Sequence, residues 1–554
     1  MPRIARRRSA AAVALAALLL GTGAPPAGAD HTGVGETPAG SQSVPQLTWA
    51  DCGTGDAGVA AGVQCATADL PMDYDQPDGM QVRIAVARVP ARDQADRIGS
   101  LFFNFGGPGA PAVDYLQAAG AGLFGTLNQR FDIIGFDPRG VGQSTPAVDC
   151  RVNQETEGIT AQPLPTPLDI DVDAFVARMQ AYVDSCLANN GAILEHLSTA
   201  NVARDMDALR AAVGDTRLTY LGFSYGTVLG ATYAALFPDR YRAMVLDAPV
   251  DAESYIHDPI DYVAEQTAGF EESLGRFFAA CAADQVACAG FGGANPSLAY
   301  DELIAKAEVT PIPAEGFAPD PRPVTADDIR LATLQPLYSK RFWGLLGLAL
   351  ARAANGDGSL VRALVDSYYG RRDDGTYDPS RDRLFTISAS EARFPRGDLQ
   401  PYLDQGAEAW ERFPHFWFSS GYTDIPWALW PIRDEDAYGG PFAVPPSAPT
   451  PLVVATTHDP ATPYRGAQRL VQDLGNARLL TMDGDNHAAY GGNSACVDAA
   501  TETYLVDGTL PEEDTVCPQE VPFTAHEQVP DEALSAVAAV PGAAARTDAL
   551  TTSR

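Results

Sequence analysis

Between residues 47 and 250 the apolar positions fall into short blocks separated by segments of helical spacing. Val82, Ile84 and Val86 recur with the period of a strand that buries one face. Leu101 to Phe105 and Phe131 to Phe136 are near-continuous apolar runs, the pattern of strands covered on both faces. From Thr199 to Val213 the apolar residues Val202, Met206, Leu209 and Val213 follow helical spacing until Gly214 ends the run. A β-branched and aromatic run, Arg217 to Leu221, then leads through Gly222-Phe223-Ser224-Tyr225-Gly226 into a small-residue helix, Tyr225 to Phe237, stopped by Pro238. Arg242 to Leu246 reads as the next strand. Strands alternating with helices predict a mostly parallel sheet with crossover helices.

The alternation stops after Val250. Residues 251–445 carry helical segments, among them Thr325 to Leu334 and Phe342 to Ala354, and aromatic clusters around Trp417 and from Trp427 to Trp430. They read as a mainly helical cap inserted into the sheet-forming chain. After the Pro-rich hinge Pro445 to Pro449, strand signals return at Pro451 to Thr457 and, one amphipathic helix later, at Ala477 to Met482. The expected organisation is therefore a core in two parts, 47–250 and 446–523, around the cap at 251–445.

The ends have a different character. Residues 1–29 combine Arg3 and Arg6 to Arg8, an apolar stretch from Ala10 to Leu20 and Ala27-Gly28-Ala29, the layout of an export signal. Residues 30–46 read as a flexible leader and 524–554, with no aromatic after Phe523, as a mobile tail. The formal charge is −33, and loss of residues 1–29 removes only arginines, making it more negative still. Such a field makes nucleic acid and anionic membrane poor partners. The eight cysteines, in an exported chain, predict disulfides. Pairing of neighbours in chain order is expected, each bridge contributing about 2–4 kcal/mol. No cysteine pair has C-x-x-C spacing and the histidines do not cluster, so neither metal nor cofactor is expected.

The chemistry follows from where the polar residues fall on this framework. The G-x-S-x-G between strand and helix has the layout of a nucleophile elbow, in which flanking glycines hold a serine in a strained, exposed position, and it nominates Ser224. A serine hydroxyl needs a base within hydrogen-bond reach and a carboxylate to orient that base. Of the downstream histidines, His257 and His415 fall in the expected cap and His526 in the tail, whereas His487 follows the last core strand, where a base belongs. His458 reads as a neighbour of the site. Asp459 opens the loop after Pro451 to Thr457 and is the expected acid, with Asp247, Asp483 and Asp485 as rivals; an Asx-turn is the plainer reading of Asp459. The glycine turn Asn104 to Gly109 follows a strand end, and the amides of Gly107 and Tyr225 are the expected oxyanion donors.

Taken together, Asn104 to Gly109, Phe136 to Ser144, Gly222 to Thr227, Asp459 to Pro463 and the segment from His487 through Cys496 and Cys517 resemble the secreted tripeptidyl aminopeptidase branch of the proline iminopeptidase-like α/β-hydrolases. The resemblance covers most of residues 47–520. It implies an α/β-hydrolase fold with a helical cap, a triad on Ser224, Asp459 and His487, and an exopeptidase, without metal, that acts on short peptides from their free N-termini. Two positions depart from the family pattern: Ala488 stands where glycine is usual, and Leu246-Asp247-Ala248-Pro249 replaces Leu-Asp-Gly-Val. Glu271 and Glu272 are possible anchors for a substrate ammonium, against the plainer reading of a solvated helix face. The clusters near Trp417 and Trp427 fit an apolar subsite or core packing equally. A carboxylesterase on the same triad and a catalytically silent secreted binding protein are the other readings.

Overall fold

The computed structural model describes residues 44–53 and 59–523. The expected export signal, most of the leader, and the tail with His526 lie outside the described residues. Ten strands form one sheet: β1 (Ala50–Asp51), β2 (Gln64–Pro71), β3 (Gln81–Val89), β4 (Gly99–Asn104), β5 (Phe131–Phe136), β6 (Leu218–Phe223), β7 (Tyr241–Asp247), β8 (Leu452–Thr456), β9 (Arg478–Asp483) and β10 (Val516–Pro518). Their spatial order is β1-β2-β3-β5-β4-β6-β7-β8-β9-β10. From β5 to β10 every pairing is parallel, and β1, β2 and β3 extend the sheet antiparallel.

Burial explains the order. Every residue of β4, β5, β6 and β8 is buried, as expected of central strands with helices on both faces, while β2 alternates buried and exposed positions near the sheet edge. One apolar cluster, with Leu101, Phe103, Ile133, Leu221 and Val454, packs against one face; another, with Phe102, Ile134, Tyr220, Met244 and Val453, packs against the other.

The chain leaves the sheet between β7 and β8 for a long series of helices, from Ala252–His257 to Ile425–Leu429. This excursion is not uniform. Phe270, Leu274, Phe277, Ile329, Leu346, Leu364 and Phe416 share a core of their own. Phe385, Ile387, Tyr402, Trp427 and Trp430 instead join the cluster that packs on the sheet. A second departure from the simple alternation lies between β5 and β6, where residues 137–217 contain the helices Val172–Asn190 and Thr199–Ala212.

The two departures are stitched together. Asp382, buried, accepts hydrogen bonds from the Cys150 amide at 2.9 Å, Gln154 Nε2 at 2.8 Å and the Tyr182 hydroxyl at 2.9 Å. The cysteines pair in chain order, Cys52 with Cys65, Cys150 with Cys186, Cys281 with Cys288 and Cys496 with Cys517. No helix among the described residues is long and apolar enough to cross a membrane.

Candidate active site

The parallel strands β4, β6, β7, β8 and β9 end on the same edge of the sheet, and the chemistry-bearing loops start there. Ser224 follows β6 directly with φ 55°, in the left-handed region that a serine enters only under constraint. The constraint is visible on both sides. The Ser224 amide donates to Asp247 O at 3.0 Å, and the Ser224 carbonyl receives the Thr227 amide and hydroxyl at 2.8 and 2.6 Å. Glycine is required next to it: a Cβ on Gly106 would lie 2.6 Å from Phe223 O, 2.8 Å from Tyr225 N and 3.1 Å from Ser224 Cβ.

That close approach lays the loop after β4 against the elbow. The Gly106 amide is held by Asn104 Oδ1 at 2.8 Å. The amides of Gly107 and Tyr225 donate to no protein acceptor among the described residues, and Gly107 is exposed. Buried amides such as that of Tyr225 are ordinarily partnered, so these two unengaged N–H groups beside a strained serine can donate to an oxyanion.

His487 and Asp459 meet. His487 Nδ1 lies 2.9 and 3.0 Å from the two carboxylate oxygens of Asp459, and both side chains are buried. The Asp459 carboxylate also receives the Ala461 and Thr462 amides at 2.9 and 2.8 Å, so it forms the Asx-turn and orients the imidazole at once. Thr462 Oγ1 stands 3.4 Å from the same ring nitrogen. The His487 amide donates to Tyr338 O at 2.7 Å, and the Tyr338 ring meets the imidazole edge-on at 5.3 Å, so the helical excursion touches the base directly. With Nδ1 occupied by the carboxylate, Nε2 is left to exchange a proton.

Asp247 connects the serine to the histidine. Its carbonyl takes the Ser224 amide, and its carboxylate takes the amides of Ala489 at 2.9 Å and Tyr490 at 2.8 Å, just past His487. Burial pushes its carboxyl up to about 7, against the lowering effect of those two amides and of His487. Its position at the end of β7 made it a rival for the acid, yet no contact joins its carboxylate to the imidazole nitrogen. Asp483 receives Thr457 Oγ1 at 3.1 Å, and Asp485 is paired with Arg276 and, at 3.1 Å, with Lys340.

The other candidates go elsewhere. His458 Nδ1 lies 2.8 Å from Glu272, and His415 bridges Glu271 and Asp301, so both glutamates already face a histidine. His257 contacts Gly439 O at 2.9 Å. Trp417 and Trp427 are buried, the first donating to Pro165 O at 3.0 Å and the second stacked on Phe394 at 4.8 Å, which is core packing rather than a subsite wall. Asp137 and Arg139 of the segment Phe136 to Ser144 are structural. Asp137 receives the amides of Ala112, Val113 and Gln143 at 2.7 to 3.0 Å, and Arg139 grips Asp205 through two nitrogens at 2.7 and 2.8 Å.

Among the described residues, the carboxylates of Glu155, Asp320 and Asp366 are the group whose oxygens come within 4.8 Å of one another. Arg322, Arg362 and Arg371 thread that group, so guanidinium charge already faces its carboxylates.

Comparison with known proteins bears on these loops. Residues 102–287 match the family described as alpha/beta hydrolase fold, and residues 422–517 match the family described as TAP-like protein. A Mycobacterium tuberculosis protein named Carboxylesterase B is 36% identical over 91% of this chain and 97% of its own length. Serine protease Hip1 of the same organism is 34% identical over 85% of this chain and 91% of its own. A tripeptidyl aminopeptidase of Streptomyces coelicolor is 29% identical over 85% and 86%.

Proposed function

Because the chain belongs to the TAP-like branch of the α/β-hydrolases and is a serine hydrolase, we propose that it is an exported exopeptidase that hydrolyses short peptides from their free N-termini through an acyl-enzyme on Ser224. The observation that carries this reading is the buried His487–Asp459 pair on the loops after β9 and β8, joined through Asp247 to a serine at φ 55°. His487 Nε2 takes the Ser224 proton as Oγ attacks the carbonyl, and Asp459 holds Nδ1–H and stabilises the imidazolium. The Gly107 and Tyr225 amides receive the oxyanion; losing one such donor costs on the order of 3–4 kcal/mol of transition-state stabilisation. His487 then returns the proton to the departing amine, and water, activated by the same base, releases the acyl group and restores Ser224.

Two relatives named as a protease and a tripeptidyl aminopeptidase support peptides as the substrate class. The signal-like residues 1–29 and the four disulfides support export. The relative named Carboxylesterase B supports a second reading, ester hydrolysis on the same triad. A matched series separates them: tripeptidyl amides with free and with blocked N-termini, and acyl esters of equal length. The exopeptidase reading expects free-N-terminal amides to be cut and blocked ones spared. Ester turnover without amide turnover would establish the carboxylesterase, and equal cutting of blocked peptides would remove the requirement for a free N-terminus.

A further inference from the structure

Arg383 is the exception among the buried arginines. Charged side chains are almost never fully buried without partners, because desolvating a lone cation costs several kcal/mol. Arg139 obeys the rule with Asp205, and Arg362 obeys it with Asp320, Asp328 and Asp366. Arg381, two residues away, donates to Tyr368 O and stacks on the Tyr368 ring at 3.6 Å. Arg383 is 6% exposed, and its Nε has no hydrogen-bond partner among the described residues. Of the buried arginines Arg139, Arg362 and Arg383, it is the one with no ion pair to a carboxylate among the described residues.

Its location gives the exception a direction. Arg383 lies on the helix Ser380–Glu391, and a Cβ built on Gly109 would come within 2.5 Å of Arg383 Cβ. The helix is thus pressed onto the glycine loop that offers the Gly107 amide. On the same helix face, at spacings of four residues, follow Ile387 and Glu391, and Glu391 reaches the hydroxyl of Tyr225 at 3.5 Å. One helix face therefore runs from the glycine loop to the residue beside Ser224, with Arg383 rooted at the glycine-loop end.

We propose that Arg383 is a specificity-determining residue that binds a substrate carboxylate beside the acyl site. A guanidinium presents its donors as a planar fork that matches a carboxylate, and a ligand carboxylate would supply the charge that the protein withholds. The carboxylate comes either from the C-terminus of a short peptide or from an acidic side chain flanking the cleaved bond. This rests on the peptidase reading above for its substrate class, and on the structure alone for the anion site.

The test compares wild type with Arg383→Met and Arg383→Lys on three free-N-terminal peptides of one length: a C-terminal carboxylate, the matching carboxamide, and a carboxamide with Glu after the cleaved bond. Wild type is expected to prefer a carboxylate-bearing peptide over the neutral one in kcat/KM by about 10–100-fold, the scale of a hydrogen bond to a charged group. Arg383→Met is expected to bring that ratio close to one, and Arg383→Lys to leave part of it. Preference for the C-terminal carboxylate alone identifies the peptide terminus as the ligand; preference for the Glu carboxamide alone identifies the side chain. A ratio near one in wild type, or an unchanged ratio in Arg383→Met, overturns the proposal.

If no peptide is cleaved, the peptidase reading fails, and the same peptides are used to slow labelling of Ser224 by an uncharged fluorophosphonate. Each variant is normalised to its own labelling rate without peptide. Protection by carboxylates over carboxamides that disappears in Arg383→Met upholds the anion site, and equal protection overturns it. Should the Met variant not fold, Arg383→Lys carries the comparison: a partial loss of preference upholds the site, and an undiminished preference overturns it.

Discussion

Two sets of buried acids are used in opposite ways: Asp459 and Asp247 at the rim of the sheet, and Asp320, Asp328 and Asp366 in the helical excursion between β7 and β8. At the rim, Asp459 and Asp247 spend their oxygens on backbone amides two or three residues from the functional side chains: Ala461 and Thr462 for one, Ala489 and Tyr490 for the other. These are short, directional contacts that fix loop conformation residue by residue. In the excursion, acids meet arginines instead, some close in sequence and some distant, and one pair reaches Glu155 in the segment between β5 and β6. Arg322 joins Glu155 to Asp320, and Arg362 sits among Asp320, Asp328 and Asp366. Those contacts tie segments together by charge and tolerate small shifts. The rim is thus built for geometry and the excursion for docking, and Arg383, docked but unpaired, is where the second pattern breaks.

The largest test of that difference removes the nucleophile. Ser224→Ala is expected to lower kcat by about 10⁴-fold or more while the protein stays folded, because the residual rate comes only from binding and the oxyanion donors. Arg322→Met, in the excursion, is expected to do the reverse. It lowers the melting temperature by a few degrees, since Glu155 and Asp320 lose their bridge, and changes kcat by less than about threefold. Steady-state kinetics and thermal unfolding on both variants check the pair. A kcat loss in Arg322→Met comparable to that of Ser224→Ala would show that the excursion sets catalytic geometry as strictly as the rim.

A smaller effect is expected where the rim is held rather than where it reacts. Asp247→Asn keeps the carbonyl that receives the Ser224 amide but replaces one carboxylate oxygen with an amino group that faces the Ala489 or Tyr490 amide. Leaving one buried donor unsatisfied costs about 1–3 kcal/mol. Because that donor lies on the His487 loop, a loss of roughly 10–100-fold in kcat/KM follows if the whole cost falls on the transition state. Fluorophosphonate labelling of Ser224 should slow in parallel. Normal kinetics with reduced stability would instead place Asp247 among the purely structural acids.

The same contrast decides what was legible in the sequence. The strands β4 to β8 announced themselves because burial on both faces leaves mostly apolar residues, as in Leu101 to Phe103 or Ile133 and Ile134. The β2 strand did not, because its inward positions are mostly small, Ala66 and Ala68 beside Leu70, and β10 has three residues. Ser224, Asp459 and His487 could be nominated since each stands in the loop that follows a strand, where chain order predicts position. Pattern reading failed in the helix Ser380–Glu391, where Asp382, Arg383, Ser388, Ser390 and Glu391 are all buried. Helical periodicity assumes that polar residues face water, and here the partners of Asp382 and Glu391 arrive from residues 150–199 and 255. Glu271 and Glu272, read as possible ammonium anchors against the plainer solvated helix face, instead stand beside His415 and His458.

The smallest expected effect probes an excursion acid that lacks an arginine. Asp424 is buried, accepts the Gly421 amide at 2.7 Å, and burial pushes its carboxyl up to about 7. In the unfolded chain it titrates near 4. Below that pH both states hold the proton and the group adds no pH dependence. Between about 4 and 7 the unfolded chain releases its proton while the folded one keeps it, so the folded state loses stability as pH rises; above 7 the loss is complete. Asp424→Asn keeps an oxygen for the Gly421 amide and cannot ionise. Relative to wild type it should therefore gain stability between pH 5 and pH 8, by at most about 4 kcal/mol. The wild-type slope persists in part, because Asp247 and Glu391 are raised in the same direction. Thermal unfolding of both proteins at pH 5 and pH 8 measures the difference. Parallel shifts would mean that Asp424 is ionised in the fold, and that the excursion holds an unpaired anion as well as the unpaired cation at Arg383.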